Sequence, residues 1–217
     1  MTSLKPGRPV ATVIGDVVGS RAADDRGALH ARLTALVDLA NDTLAPAVRF
    51  RITVGDEFQG CFDTVGEALA ATLALRLAGL PEVDLRHGIG WGDVAVLEET
   101  PRVEDGPGWW AARAAIDEVK ADAGRAGLRQ TRTAYHLAAG ADGSAAQAVN
   151  AALLLRDHVV GGLSERSLGV VRGLLAGSTQ REIAEAEGIS ASAVSQRVRN
   201  DGLAALLAAE ELLRTVQ

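Results

Sequence analysis

Cysteine, aromatic side chains, excess positive charge and long apolar runs are all scarce in these 217 residues. The single cysteine, Cys61, excludes an internal disulfide, and its place between Gly60 and Phe62 in an apolar stretch marks a buried structural thiol. Aromatics make up 3% of the chain, so the pair Trp109-Trp110 is conspicuous, either as a core anchor or as a wall on which a base stacks. A net charge of −6 excludes a surface coated in positive charge for wrapping nucleic acid and confines any such contact to a local patch. No apolar run approaches the roughly 20 residues of a membrane span, and the N-terminus lacks a basic-then-apolar leader. These absences describe a soluble, cytoplasmic protein with no membrane partner. His30, His87, His136 and His158 have no metal-ligand spacing.

What is present is 47% hydrophobic residues, enough for sizeable cores. Val10–Ile14 is short, apolar and β-branched, as a buried strand is. A helix is expected over Arg26–Leu44, ended by Pro46, then strands over Val48–Val54 and Phe58–Phe62 joined by a Gly55-Asp56 turn. A second helix over Val65–Leu80 stops at Pro81, and a strand over Val83–Gly90 follows, with Val94–Leu97 as an extension beyond the Gly92-Asp93 turn. Glu98–Gly108 has the composition of a loop, Trp109–Lys120 of a helix and Thr131–Leu137 of an edge strand. The order β-α-β-β-α-β is that of a ferredoxin-like sheet backed by helices on one face. After a small-residue linker, Ala139–Ser144, helices are expected over Ala145–Val160, Ser164–Leu175, Gln180–Glu187 and Ala191–Val216. The fold class is α/β (α+β), with a sheet domain at 1–140 and a small all-α domain at 141–217.

In such a sheet the first strand lies centrally, beside the hairpin. Asp16, at the end of the first strand, and Asp56, at the hairpin tip, therefore converge, with Glu57 as a third oxygen donor. Hard oxygen ligands suit Mg2+ or Mn2+, which keep water and substrate phosphates in their other positions. The segment after Asp16 offers backbone N–H groups at Gly19 and Ser20 for phosphate.

Asp16-Val-Val-Gly-Ser20, Thr53-Val-Gly-Asp56, Leu85-Arg-His-Gly-Ile-Gly-Trp-Gly-Asp-Val94 and Trp110-Ala-Ala-Arg113 occur in the order found in class III nucleotide cyclases, and the chain resembles them over about residues 10 to 120. The resemblance implies metal at Asp16 and Asp56, phosphate against Gly19, and a catalytic role for Arg113, which otherwise reads as a surface ion-pair partner. It also implies a homodimer, because cyclase sites form across two subunits. Gly-Asp-Glu-Phe is similar to the signature turn of diguanylate cyclases. The sequence departs from the cyclase pattern where the base and ribose are read. Ile52 stands in place of a lysine with Arg51 one residue off register, Trp109 replaces an asparagine, and Glu104 and Asp105 only approximate the second base-reading position.

Near the C-terminus, Ile183 and Ala184 pack a first short helix, Gly188 turns, Ile189 fills the core, Ser190 caps, and Val194 and Val198 bury a second helix. This helix-turn-helix pattern resembles sigma-factor region four and LuxR-type regulators, and implies DNA contact through Ser192, Ser195, Gln196, Arg197 and Arg199. From Leu163 to Gln217 there are six arginines and seven acids, so the segment carries no piled-up positive charge. Taken at full length, the chain resembles the SatD family, a cyclase-like domain joined to a DNA-binding motif. Two functions follow. One is a DNA-binding regulator whose sheet domain binds metal and nucleotide; the other is an active nucleotidyl cyclase or related metal-dependent phosphotransfer enzyme.

Overall fold

The structure is a computed structural model that describes residues 8–100 and 102–217; the N-terminal segment read above for a leader, and Pro101, lie outside the described residues. Val10–Val17 (β1), Arg26–Thr43 (α1), Val48–Ile52 (β2), Phe58–Phe62 (β3), Val65–Gly79 (α2) and Leu85–Gly92 (β4) follow in the expected order. Then come Ala95–Glu99 (β5), Arg102–Asp105 (β6), Pro107–Ala123 (α3), Thr133–Leu137 (β7) and Ala146–Gly161 (α4). Glu165–Leu175 (α5), Gln180–Glu187 (α6), Ala191–Asn200 (α7) and Leu203–Leu213 (α8) complete the chain. The main sheet runs β2-β3-β1-β4-β7. Within it β1 is antiparallel to β3 and β4, β2 antiparallel to β3, and β7 parallel to β4. The first four strands make the ferredoxin-like arrangement in a mixed α+β fold.

Local chemistry explains the helix starts. Asp25 accepts from the Ala28 N–H at the start of α1, and Thr64 with Glu67 forms a reciprocal capping box on α2. α2 is apolar nearly all round and buried to match, lying between the sheet and the C-terminal helices. Ala11, Val13 and Val17 of β1 face α1 and α2. Val10 and Ile14 point the other way, against Trp109, Ala112 and Ile116 of α3. Cys61 is fully buried on that second face, and burial pushes its thiol pKa far up.

Four features differ from the sequence expectation. β1 runs three residues beyond Ile14, because Asp16 and Val17 pair with Arg86 and Leu85. Helices cover both faces of the sheet, since α3 lies across β4 and β1 opposite α2. Gly88, Gly90 and Gly92 of β4 all point at α3, where an added Cβ would stand 2.3 Å from the Ala112 oxygen, 2.2 Å from the Gly108 oxygen and 3.0 Å from the Gly108 nitrogen. The strand expected over Val94–Leu97 is β5, which pairs not with the main sheet but with β6, and β6 lies in the segment expected to be a loop. Its strand pattern was masked because it is largely exposed, and it is tied to β2 by Arg51, which reaches the buried Glu104 at 3.2 Å. The last expected helix is two, broken at Asp201 and at Gly202, which has a φ of 73°.

The C-terminal helices meet the sheet through buried charge. Arg76 of α2 donates to Asp84, before β4, and to Asp157 of α4, each at 3.0 Å. Asp157 also accepts the backbone N–H groups of Arg132 and Thr133 at 2.7 and 2.6 Å, and Arg132 returns to Asp84 at 2.6 Å. Arg156, also buried, donates to the Leu69 carbonyl at 2.9 Å and lies 3.6 Å from Glu210 of α8. Burial pushes the Glu210 carboxyl pKa up, opposed by Arg156. Leu168, Val170, Val171, Ile183, Val194, Leu203 and Leu206 pack with Leu73 and Leu77 of α2 in one core. No helix among the described residues is long and apolar enough to cross a membrane.

Two stability predictions follow from this layer. Asp157→Ala leaves the Arg76 Nη1 and two backbone N–H groups buried without their carboxylate acceptor, and should cost about 3–5 kcal/mol in urea unfolding. A loss below about 1 kcal/mol would show that water replaces the carboxylate. His87 has neither ring nitrogen hydrogen-bonded and packs edge-on to Phe58 at 5.9 Å. Burial first, then Arg156 and Arg76, pushes its pKa down to about 3. The folded state therefore holds it neutral while the unfolded chain takes up a proton below about pH 6.5. Its contribution is intact above that pH and is lost as pH falls toward 3. His87→Leu should flatten the decline in stability between pH 6.5 and 4 by up to about 1.4 kcal/mol per pH unit. Parallel pH profiles for variant and wild type would refute this.

Candidate functional site

The end of β1, the hairpin between β2 and β3, and the last turn of α3 enclose a cleft of about 630 Å3. Asp16, Gly19, Ser20, Asp56 and Glu57 all line it, as the sequence indicates, together with Arg21, Arg86 and Lys120. The chain reaches the cleft because the Val18 N–H bonds the Asp84 carbonyl at 2.9 Å and Gly19 then adopts a φ of 72°, turning into a short 3-10 segment, Ser20–Ala22. Among the described residues, no main-chain partner takes the N–H groups of Gly19, Ser20 or Arg21. Across the cleft, Gly55 has a φ of 65°, which lets the hairpin fold back so that Asp56 Oδ2 accepts the Val17 N–H at 3.1 Å. That bond joins the two aspartate-bearing segments directly.

Each predicted metal ligand already has a protein partner. Asp16, with a side chain 10% exposed, accepts from Arg86 Nε at 2.8 Å through Oδ1 and lies 2.9 Å from Lys120 Nζ through Oδ2. Both Glu57 oxygens receive Arg113, each at 2.7 Å, and this hydrogen bond is the first cause raising the guanidinium pKa. Asp56 Oδ2 holds the Val17 N–H. Among the described residues no group of three or more His, Cys, Asp or Glu side chains is arranged to hold an ion. The donor set still fits a hard divalent ion whose remaining ligands are phosphate oxygens and water, since Asp16 and Asp56 border one space.

Arg86 and Lys120 escaped the sequence reading. Arg86 is Asp16's direct neighbour across the β1–β4 ladder, a register that no local pattern reveals. Lys120 lies seven residues after Arg113, two turns along the same face of α3, so helical spacing alone held that signal. The positions expected from the cyclase resemblance to face base and ribose are closed. Ile52 packs against the α2-side core, Trp109 is 7% exposed within the α3-side core, and Trp110 stands outside with its Nε1 on Asp105 at 2.8 Å.

At the other end of the chain, α6 and α7 are joined across Gly188, with a φ of 62°, and Ser190, which caps α7 by accepting from the Ala193 N–H. Val194 is fully buried beneath, while Ser192, Gln196 and Arg199 are exposed. Ser195 is half-buried and receives Arg199 at 2.9 Å. Arg197 turns inward to Ser167 at 3.1 Å and Asp201 at 3.7 Å.

No curated protein matches the chain. Among solved structures it is similar to the catalytic core of a rhodopsin-guanylyl cyclase with converted specificity in complex with ATPalphaS, at 18% identity over 52% of this chain and 73% of that one, with a TM-score of 0.44. A second is the monomeric guanylyl cyclase domain of the RhoGC fusion protein from the aquatic fungus Blastocladiella emersonii, at 16% identity, 54% and 78% coverage and a TM-score of 0.45. A third is the adenylate/guanylate cyclase/hydrolase from Silicibacter pomeroyi, at 25% identity, 49% and 68% coverage and a TM-score of 0.40. The SatD family model matches residues 10–215, nearly the whole length, and the chain belongs to the SatD family.

Proposed function

We propose that the cleft at the end of β1 binds the phosphates of a nucleoside triphosphate, and that the chain is a metal-dependent enzyme of nucleotidyl cyclisation or a related phosphotransfer. The observation that carries this reading is the convergence of Asp16, Asp56, Gly19 and Ser20 on one cleft with three cations, Arg21, Arg86 and Lys120. Phosphotransfer asks mainly for positioned cations and N–H donors against phosphate oxygens, with carboxylates for a divalent ion. Asp16 and Asp56 would hold Mg2+ or Mn2+, which when bound lowers the pKa of an attacking hydroxyl and offsets leaving-group charge. The Gly19–Arg21 N–H groups and the Arg21 and Arg86 guanidiniums would take the phosphate oxygens. Arg113 joins the reaction only when it leaves Glu57, 2.7 Å away. With apolar residues at Ile52 and Trp109, the base is held weakly, so selectivity among triphosphates is low. A homodimer belongs to the same reading.

The test is incubation of the purified protein with Mn2+ and each nucleoside triphosphate, followed by chromatography for cyclic or dinucleotide products. A product that Asp56→Asn reduces by at least 100-fold is expected. No turnover of any triphosphate at high protein concentration would reject the enzyme reading.

A second reading, a DNA-binding regulator, is favoured by α7, which exposes Ser192, Gln196 and Arg199 opposite the buried Val194. Arg197 belongs to this surface only if it gives up Ser167 and Asp201. Sequence-selective retardation of its own promoter DNA, weakened about 10-fold or more by Arg199→Ala, is the expected result for this reading. Retardation that is unselective, or unchanged in the variant, would remove it.

A further inference from the structure

Lys120 is one of two lysines among the chain's 22 basic residues; the other twenty are arginines. The structure's interior ion pairs use arginine at Asp84, Asp157, Glu104 and Glu210. At Asp16 the cations differ. Arg86 takes Oδ1 along the sheet, and the ammonium of Lys120 approaches Oδ2 from the cleft side, at 2.9 Å with a side chain 37% exposed. An ammonium is a compact, strongly hydrated point charge on a flexible stem, whereas a guanidinium is a planar fork that locks its partner. It is the side chain that most resembles a small hydrated cation and the easiest to displace.

Asp16 is 7% exposed, and a carboxylate so placed needs compensating charge whether or not an ion is bound. Arg86 supplies one cation, fixed by strand register. Lys120 supplies the second, from the last turns of a helix that glycine-lined β4 holds flush on the sheet. We propose that Lys120 is a resident counter-cation that occupies, with its ammonium, the divalent-ion position at Asp16. Metal enters at Asp16 only by displacing Lys120, and the displaced ammonium, still at the cleft, turns to the phosphates that arrive with the ion. This deepens the nucleotide-phosphate reading, on which the phosphate half rests, while the competition between Lys120 and the ion stands without it. Uptake of free metal is thereby held weak and coupled to a phosphate ligand that accepts the freed ammonium.

The experiment uses the full chain and Mn2+ alone, followed by the loss of the free-ion electron paramagnetic resonance signal. Lys120→Met and Lys120→Gln should bind Mn2+ about tenfold more tightly than wild type, because the displaced charge is gone. Lys120→Arg should bind Mn2+ more weakly than wild type, because a guanidinium holds Asp16 harder, and Asp16→Asn/Lys120→Met should lose the gain. Melting curves give an independent readout. Without metal, Lys120→Met should melt lower than wild type, and saturating Mn2+ should restore it while raising wild type less. Affinity in Lys120→Met and Lys120→Gln equal to or weaker than wild type would make Lys120 an ordinary surface partner of Asp16 and overturn the proposal. So would a melting deficit that Mn2+ leaves uncorrected. Adding tripolyphosphate and then ATP to the Mn2+-loaded wild type separates the two levels: tightening of Mn2+ by phosphate, lost in Lys120→Met, supports the coupling, and its absence overturns that half. Failure of ATP to bind better than tripolyphosphate, with the Lys120 effects intact, would count against the nucleotide reading alone.

Discussion

The close approach of α3 to β4 is the constraint on which the cleft depends. Three alternate residues of one strand are glycine, so the helix backbone sits where side chains would stand. Thr12 of β1 reinforces the contact, its hydroxyl lying 3.0 Å from the Gly90 carbonyl and 2.9 Å from that of Gly108. The helix is thus fixed in height and in rotation. Two turns apart on one face it carries Arg113 to Glu57 and Lys120 to Asp16, so one packing decision sets two of the cleft's ion pairs. Bulk on β4 would lift α3 and separate both cations from their carboxylates, an effect larger than the volume added.

The second organising element lies on the opposite face. Asp84 accepts Arg76 and Arg132 through its side chain while its carbonyl takes the Val18 N–H at the start of the turn that lines the cleft. The same residue therefore anchors both the loop that lines the cleft and the buried charge cluster beneath α4. Arg76 continues to Asp157, and the neighbouring Arg156 to Glu210 on α8. Buried ion pairs add little net stability over an apolar core, but they penalise any arrangement that breaks them. Their position here fixes how α4 and α8 sit on α2 and the sheet. The C-terminal segment closes the same junction, where the Gly66 N–H at the start of α2 bonds the Val216 carbonyl at 2.9 Å.

Local pattern disclosed the element order, the central place of β1 and the meeting of Asp16 with Asp56, since each depends on periodicity, turn residues and one topological rule. The Gly88–Gly92 alternation was visible too, but its meaning was not: glycine spaced by two signals a close approach without naming what approaches. β6, and its pairing with the strand expected at Val94–Leu97, went unread because exposed strands carry little apolar alternation. The break at Gly202 hid inside an Ala- and Leu-rich stretch whose composition favours helix on both sides. The partners of Asp16 were the least accessible of all. Arg86 depends on ladder register and Lys120 on the rotation of a helix 104 residues away in sequence, and tertiary packing alone decides both.

Charge balance in the cleft gives these partners their significance. The three lining carboxylates, Asp16, Asp56 and Glu57, face three lining cations, Arg21, Arg86 and Lys120, with Arg113 held just outside by Glu57. A cleft made of bare carboxylates would attract divalent ions and repel a triphosphate; one made of bare cations would do the reverse. Asp16 is paired with Arg86 and Lys120, and Glu57 with Arg113, so an ion at Asp16 or a phosphate at these cations would first have to break an existing ion pair. An ion and a polyanionic phosphate entering together would replace those pairs with equivalent ones, ion to carboxylate and phosphate to ammonium or guanidinium. On the proposed reading, the pairing would favour the combined ligand over either component, a selectivity that follows from charge compensation and needs no contact with a base.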